Sequence, residues 1–248
     1  MPPTATSSRH PGPPLFALAL VHASLLAASL LVTAIATGSS FPSPDADPAR
    51  ALDTFASHGA ALRWTAFLQL GAAVPLGLLA ASAASRLRFL GVRAAGATIA
   101  LFGGIAASVF LALSALLQWA LTFPEVASSQ GTARALHLLA FAAGGPAHVV
   151  GLGLLVAGVA VTAGLHGLAP RGVMFAGILI AVVAEVSSLT LVAPPAAALL
   201  PVARFPAIAW LAVAAALLPT RRREAAGASR DPGGAPVARW RCRAEAAR

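Results

Sequence analysis

Apolar positions gather into six long runs, at about 15–37, 62–84, 94–123, 133–165, 172–193 and 205–218, with short polar stretches between them. A helix rises about 1.5 Å per residue, so about 20 apolar residues cross the hydrocarbon of a bilayer. Each run is therefore read as a membrane span, and the fold class as an all-α polytopic bundle of six spans. Pro75 predicts a kink in the second run. Gly144-Gly145-Pro146 predicts a broken helix in the fourth, since proline removes a backbone donor. Between the first two runs, the spacing of Asp47 before Pro48 predicts a short helix over 47–58. The sixth run is short and follows a proline corner at 194–201.

Outside the spans the pattern fails. Residues 1–14 hold five prolines and no hydrophobic period, and read as a disordered arm. Residues 220–248 read as a disordered basic tail, leaving 15–219 as the transmembrane domain. The first run resembles a signal peptide in having Arg9 before it and Ala34-Ile35-Ala36 near its end. It is longer than the about 7–15 residues of a signal core, so a retained helix is expected.

Composition agrees with the pattern. Hydrophobic residues make up 58% of the chain and charged ones 10%, against about 25% charged in a soluble domain. The net charge of +9 would suggest nucleic acid, but all 17 basic residues are Arg and their places follow the spans. With both termini, the turn at 86–93 and Arg171 in the cytoplasm, 13 Arg lie inside, and only Arg50, Arg63, Arg134 and Arg204 lie outside. The expected topology is N-in and C-in, with membrane lipids as partners and no nucleic acid. A homo-oligomer or an unidentified membrane partner stays open. Lys-free, Ala-rich usage points to a bacterial source and so to a bacterial plasma membrane. The one cysteine, Cys242, makes no internal disulfide.

The candidate chemistry lies in polar residues inside the runs. Glu185 stands in the fifth, where an ionised side chain near the bilayer centre costs about 3 kcal/mol. Gln69, Gln118, His137 and His148 fall in the same outer half, with Arg63, Arg134 and Arg204 around the rim. Together they suggest an outward cavity in which Glu185, with His148 or a glutamine, binds a cation, a proton or a polar ligand. The alternative is that Glu185 is neutral and hydrogen-bonds across helices to hold the bundle. His148, after the Gly-Gly-Pro break, is expected to be satisfied by a neighbouring backbone group.

No histidine pair has metal or haem spacing, and no phosphate loop, nucleophile elbow, HExxH or CxxC occurs. Neither metal, cofactor nor enzymatic activity is expected. Small residues at helical spacing, Gly104 with Ser108 and Ala80 with Ala84, fit close helix approach. Leu76-Gly77-Leu78-Leu79 and Leu152-Gly153-Leu154-Leu155 form a weak internal echo of the kind seen in transporter repeats.

The run HLLAFAAGGPAHVVGLGLLVAG from His137, then GLAPRG, VVAEVSSL and LLPVARFPAIAWLAVAAALLP, followed by Arg221-Arg222-Arg223, resembles a family of uncharacterised multi-pass bacterial membrane proteins, domain of unknown function 4386. The Arg204-Phe205-Pro206 to Trp210 portion is its most distinctive part. The resemblance implies a bacterial cell-membrane protein and carries over no catalytic residues. The function expected is a structural, regulatory or ligand-sensing role. A proton- or cation-coupled small-solute transporter using Glu185 is the alternative.

Overall fold

A computed structural model of the chain describes residues 8–38 and 47–222. Among them six helical segments are long and apolar enough to cross a membrane. The protein is an all-α, multi-pass bundle. Its elements are β1 (Ser8–Arg9), α1 (Leu15–Thr37), α2 (Pro48–Ser57), α3 (Gly59–Phe89), α4 (Gly96–Ala120), α5 (Pro124–Ala127), α6 (Gln130–Ala142), α7 (His148–Leu165), α8 (Arg171–Val186), α9 (Leu199–Leu217) and β2 (Arg221–Arg222).

Three spans depart most from their expected bounds. The first two are simple: α3 extends past both ends of its apolar run, carrying Arg86 and Arg88 into its last turn, and α8 stops at Val186. Beyond Val186 the chain tightens into a 3-10 turn, Ser187–Leu191, where the hydroxyls of Ser187 and Thr190 donate back to Ala184 O and Ser187 O at 2.6 and 2.7 Å. The third concerns α9, which starts at Leu199, six residues earlier than its apolar pattern suggests. Pro201 falls in its first turn, where an N–H has no helical partner to lose. Arg204 is thereby drawn inside the span.

The fourth span breaks where the sequence says it should. A π turn, Ala143–Ala147, separates α6 from α7, and Gly145 leaves helical geometry at φ −88°, ψ −105°. The His148 N–H then reaches Ala143 O. Gly144 O, its usual partner four residues back, is passed over.

The spans form a ring. Helix α1 packs on α3, α3 on α4, α4 on α7, α7 on α8, and α8 on α9, while α9 returns to both α1 and α7. Between α4 and α7 the contact is backbone on backbone: a Cβ at Gly103 would lie 2.6 Å from Leu155 N and 2.7 Å from Gly151 O. Gly104 likewise sits on Ala80, and the Ser108 hydroxyl donates to Ala73 O at 2.7 Å, so the expected small-residue face joins α4 to α3. Lipid tails are as apolar as leucine, so such close contact is what holds spans together.

One end of the ring carries both the first and the last described segments. Strand β1 pairs antiparallel with β2, Ser8 opposite Arg222 and Arg9 opposite Arg221, and His10 N donates to Thr220 O at 3.0 Å. The His10 ring lies 3.1 Å from the Ser85 hydroxyl and packs edge-on against Phe89. Burial, together with nearby Arg86, lowers its pKa. Residues 8–14 and 220–222 are thus placed against the bundle, contrary to the disordered arm and tail expected. Composition alone could not show that His10 has a seat at the end of α3. Residues 1–7 and 223–248, with Cys242, lie outside the described residues.

At the opposite, far end, α2 caps the bundle. Ala51 and Phe55 bury against Leu62, Leu121 and Ala133. Trp64 and Trp119 stay exposed at this end, as interfacial anchors do, each edge-on to a phenylalanine.

Candidate functional site

The polar residues of the far half do not form one cluster. Gln69 and Gln118 meet: Gln118 Nε2 donates to Gln69 Oε1 at 3.0 Å and to Ser114 Oγ at 3.2 Å, and Gln69 Nε2 reaches Leu111 O at 3.5 Å. Ser114 in turn donates to Ala140 O at 2.8 Å, tying α4 to α6. Thr33 of α1 and Thr65 of α3 share a hydroxyl hydrogen bond of 2.9 Å beside them.

These side chains line a cavity of about 370 Å³ among α1, α3, α4, α6 and α9, within the range of small-molecule sites. Its far wall is the broken segment, Gly144 and Gly145, and its remaining polar residue is Arg204. An Arg204 Nη2–H donates to Gly144 O, the carbonyl released by the π turn. Nothing else among the described residues accepts from this guanidinium, and its Nε is buried without a partner. Among the described residues no carboxylate lines the cavity. Its character is cationic and rich in donors.

The other candidates lie elsewhere. His148 is fully buried between α4 and α7 and does not line the cavity. Its Nδ1 sits 2.9 Å from Ala107 O, and since a carbonyl only accepts, Nδ1 carries the proton. His22 of α1 repeats this on Ala72 O at 2.9 Å. His137 packs edge-on against Phe55 beneath the α2 cap, lining a separate cavity of about 540 Å³ with Asp47 and Arg134.

Glu185 corrects the sequence reading most. It lies in the last turn of α8, on the outer surface with Phe175, Leu179 and Val182, and makes no hydrogen bond or ion pair among the described residues. The cation-binding cavity built on this carboxylate does not form. Neither does the cross-helix hydrogen bond of the alternative. The hydropathy boundary makes Arg204 a rim residue; its place inside the span is what the sequence reading lacked, and Pro201 in a first turn is the signal for it.

No family model, curated protein or solved structure matches the chain. Among the described residues no group of three or more metal-ligating side chains comes together.

Proposed function

We propose that the protein is a ligand-sensing membrane protein whose cavity between Gln69, Gln118, Ser114 and Arg204 receives a polar ligand. The observation that carries this is the arginine held inside the span with most of its donors unused. An ionisable group in a span is costly and is usually kept for use. Coupled transport through Glu185 draws no support from a carboxylate outside the cavity. The reading extends to a bacterial plasma membrane with both termini cytoplasmic, supported by the concentration of Arg at the termini end. It also keeps the resemblance to the family of uncharacterised bacterial membrane proteins, which rests on the residues quoted for it.

The test is the melting temperature of the detergent-purified full chain with small carboxylates, inorganic phosphate, polyols and amino acids. Gln118→Leu should melt close to wild type, because a hydrogen bond between spans averages about 0.6 kcal/mol. It should also abolish the stabilisation produced by whichever solutes raise the wild-type melting temperature. A Gln118→Leu protein that melts far lower, with no solute moving either protein, would make the cluster a structural fastening and end the sensing reading.

A further inference from the structure

The polar cavity is not closed off from the surface of the bundle. It shares Leu30 and Phe205 with an apolar groove of about 570 Å³ between α1 and α9, walled by alanine, leucine, isoleucine and phenylalanine alone. The groove follows α9 from Phe205 to Ala212, about 10 Å at helical rise, leading from the far end toward the middle of the span. A cationic donor group thus stands at the head of an apolar channel. Hydrocarbon continues inward from it.

We propose that the cavity and the groove adjoining it together bind an anionic amphiphile, a phosphate or carboxylate on a hydrocarbon chain, with its headgroup on Arg204 and its chain along the α1–α9 groove. The proposal rests on the polar cavity being a ligand site and names the class of ligand. Three features select that class. First, Arg204 is the one charged side chain among the described residues lining the cavity, so a cationic headgroup is repelled and a neutral one leaves the guanidinium unpaired. Second, its single bond to Gly144 O fixes the guanidinium while leaving N–H groups for a planar, two-pronged contact with an oxyanion. Third, a soluble anion would leave the groove empty, whereas an acyl chain fills it and points the way a lipid of that leaflet points.

The experiment uses the full chain in phosphatidylcholine nanodiscs and reads the melting temperature. Probes are dodecyl phosphate, dodecanoate, dodecanol and inorganic phosphate, with a separate arm in which phosphatidylglycerol is included in the disc. The anionic amphiphiles should stabilise the protein, while dodecanol and inorganic phosphate at equal concentration should not. Arg204→Gln should weaken the amphiphile by about ten- to a hundredfold, the range of a charge-assisted hydrogen bond. Ala209→Phe, which fills the groove from its exposed side, should weaken the amphiphile while leaving the free protein's melting temperature unchanged. It serves as the readout if Arg204→Gln fails to fold. Stabilisation by phosphatidylglycerol alone would identify a membrane lipid as the source. Stabilisation by dodecyl phosphate or dodecanoate only would identify a free amphiphile.

Dodecanol matching dodecyl phosphate, or equal binding to wild type and both variants, would overturn the proposal. Inorganic phosphate acting through Arg204 with no gain from a chain would retire the amphiphile and keep the ligand cavity. The absence of any shift dependent on Arg204 or Gln118 would remove both.

Discussion

Glu185 and Arg204 show what a single ionisable residue says from sequence and what it leaves out. An apolar run announces that Glu185 is unusual, but hydropathy is blind to which side of a helix a residue occupies. The small residues Gly177, Ala181 and Ala184 mark the buried face of α8, and Glu185 falls off that face. Glu185→Gln should therefore leave the melting temperature and its pH response within about 0.5 kcal/mol of wild type, as surface substitutions do. A large change in either would place the carboxylate in a contact. At the termini end His10 is the titrating residue to watch. Its native pKa is lowered by burial and by Arg86, while in the unfolded chain it returns to the usual imidazole value of about 6.5. The unfolded state then binds more protons as the medium acidifies, so the stability His10 confers is complete above about pH 6.5 and fades below it. Cysteines placed at Ser8 and Arg222 should cross-link more slowly as pH falls through that window in wild type. Loss of thiolate slows any such pair as pH falls, so in His10→Gln the slope should be shallower, reduced to that background.

Elements were more legible than residues. Run length, Asp47-Pro48 and Gly144-Gly145-Pro146 placed six spans, a loop helix and a broken helix where the structure has them, because each signal acts within a turn or two of its own position. What escaped were ends, notably that of α9, where a proline normally read as a stop sits harmlessly in a first turn. Contact faces were partly readable from small residues. Gly103 is pressed against the backbone of α7, so Gly103→Leu should destabilise the bundle by about 1–3 kcal/mol through overpacking, measured as a loss of folded protein in a denaturant series. The same change at Gly172, which meets nothing, should be silent. The internal echo also gains a physical form. Gly77 faces Ser108 and Gly153 faces Ala184, each 31 residues on, so both glycines admit the span that follows them.

For the whole molecule, the pairing of β1 with β2 fixes a relation that hydropathy only implied: the segments flanking the first and sixth described spans lie together. Reporter domains fused at either terminus should therefore report the same side of the membrane, the cytoplasm if the Arg count sets orientation, and one inserted at Ser128 should report the other. Opposite signals from the two termini would break the topology. The cavity was legible only as a tendency of polar residues toward one half. Its walls come from helices far apart in sequence, and no local pattern records which spans become neighbours.

That the first span closes against the last has a consequence for biogenesis. A ribosome delivers α1 well before α9, so the face of α1 with Leu26, Leu30 and Thr33 waits for its partner while the four spans between them are inserted. A truncated or stalled chain lacks Arg204 and one wall of both voids. Occupancy by a ligand would thus distinguish finished molecules from unfinished ones, and a quality-control protease would meet its substrates among chains that never completed the ring.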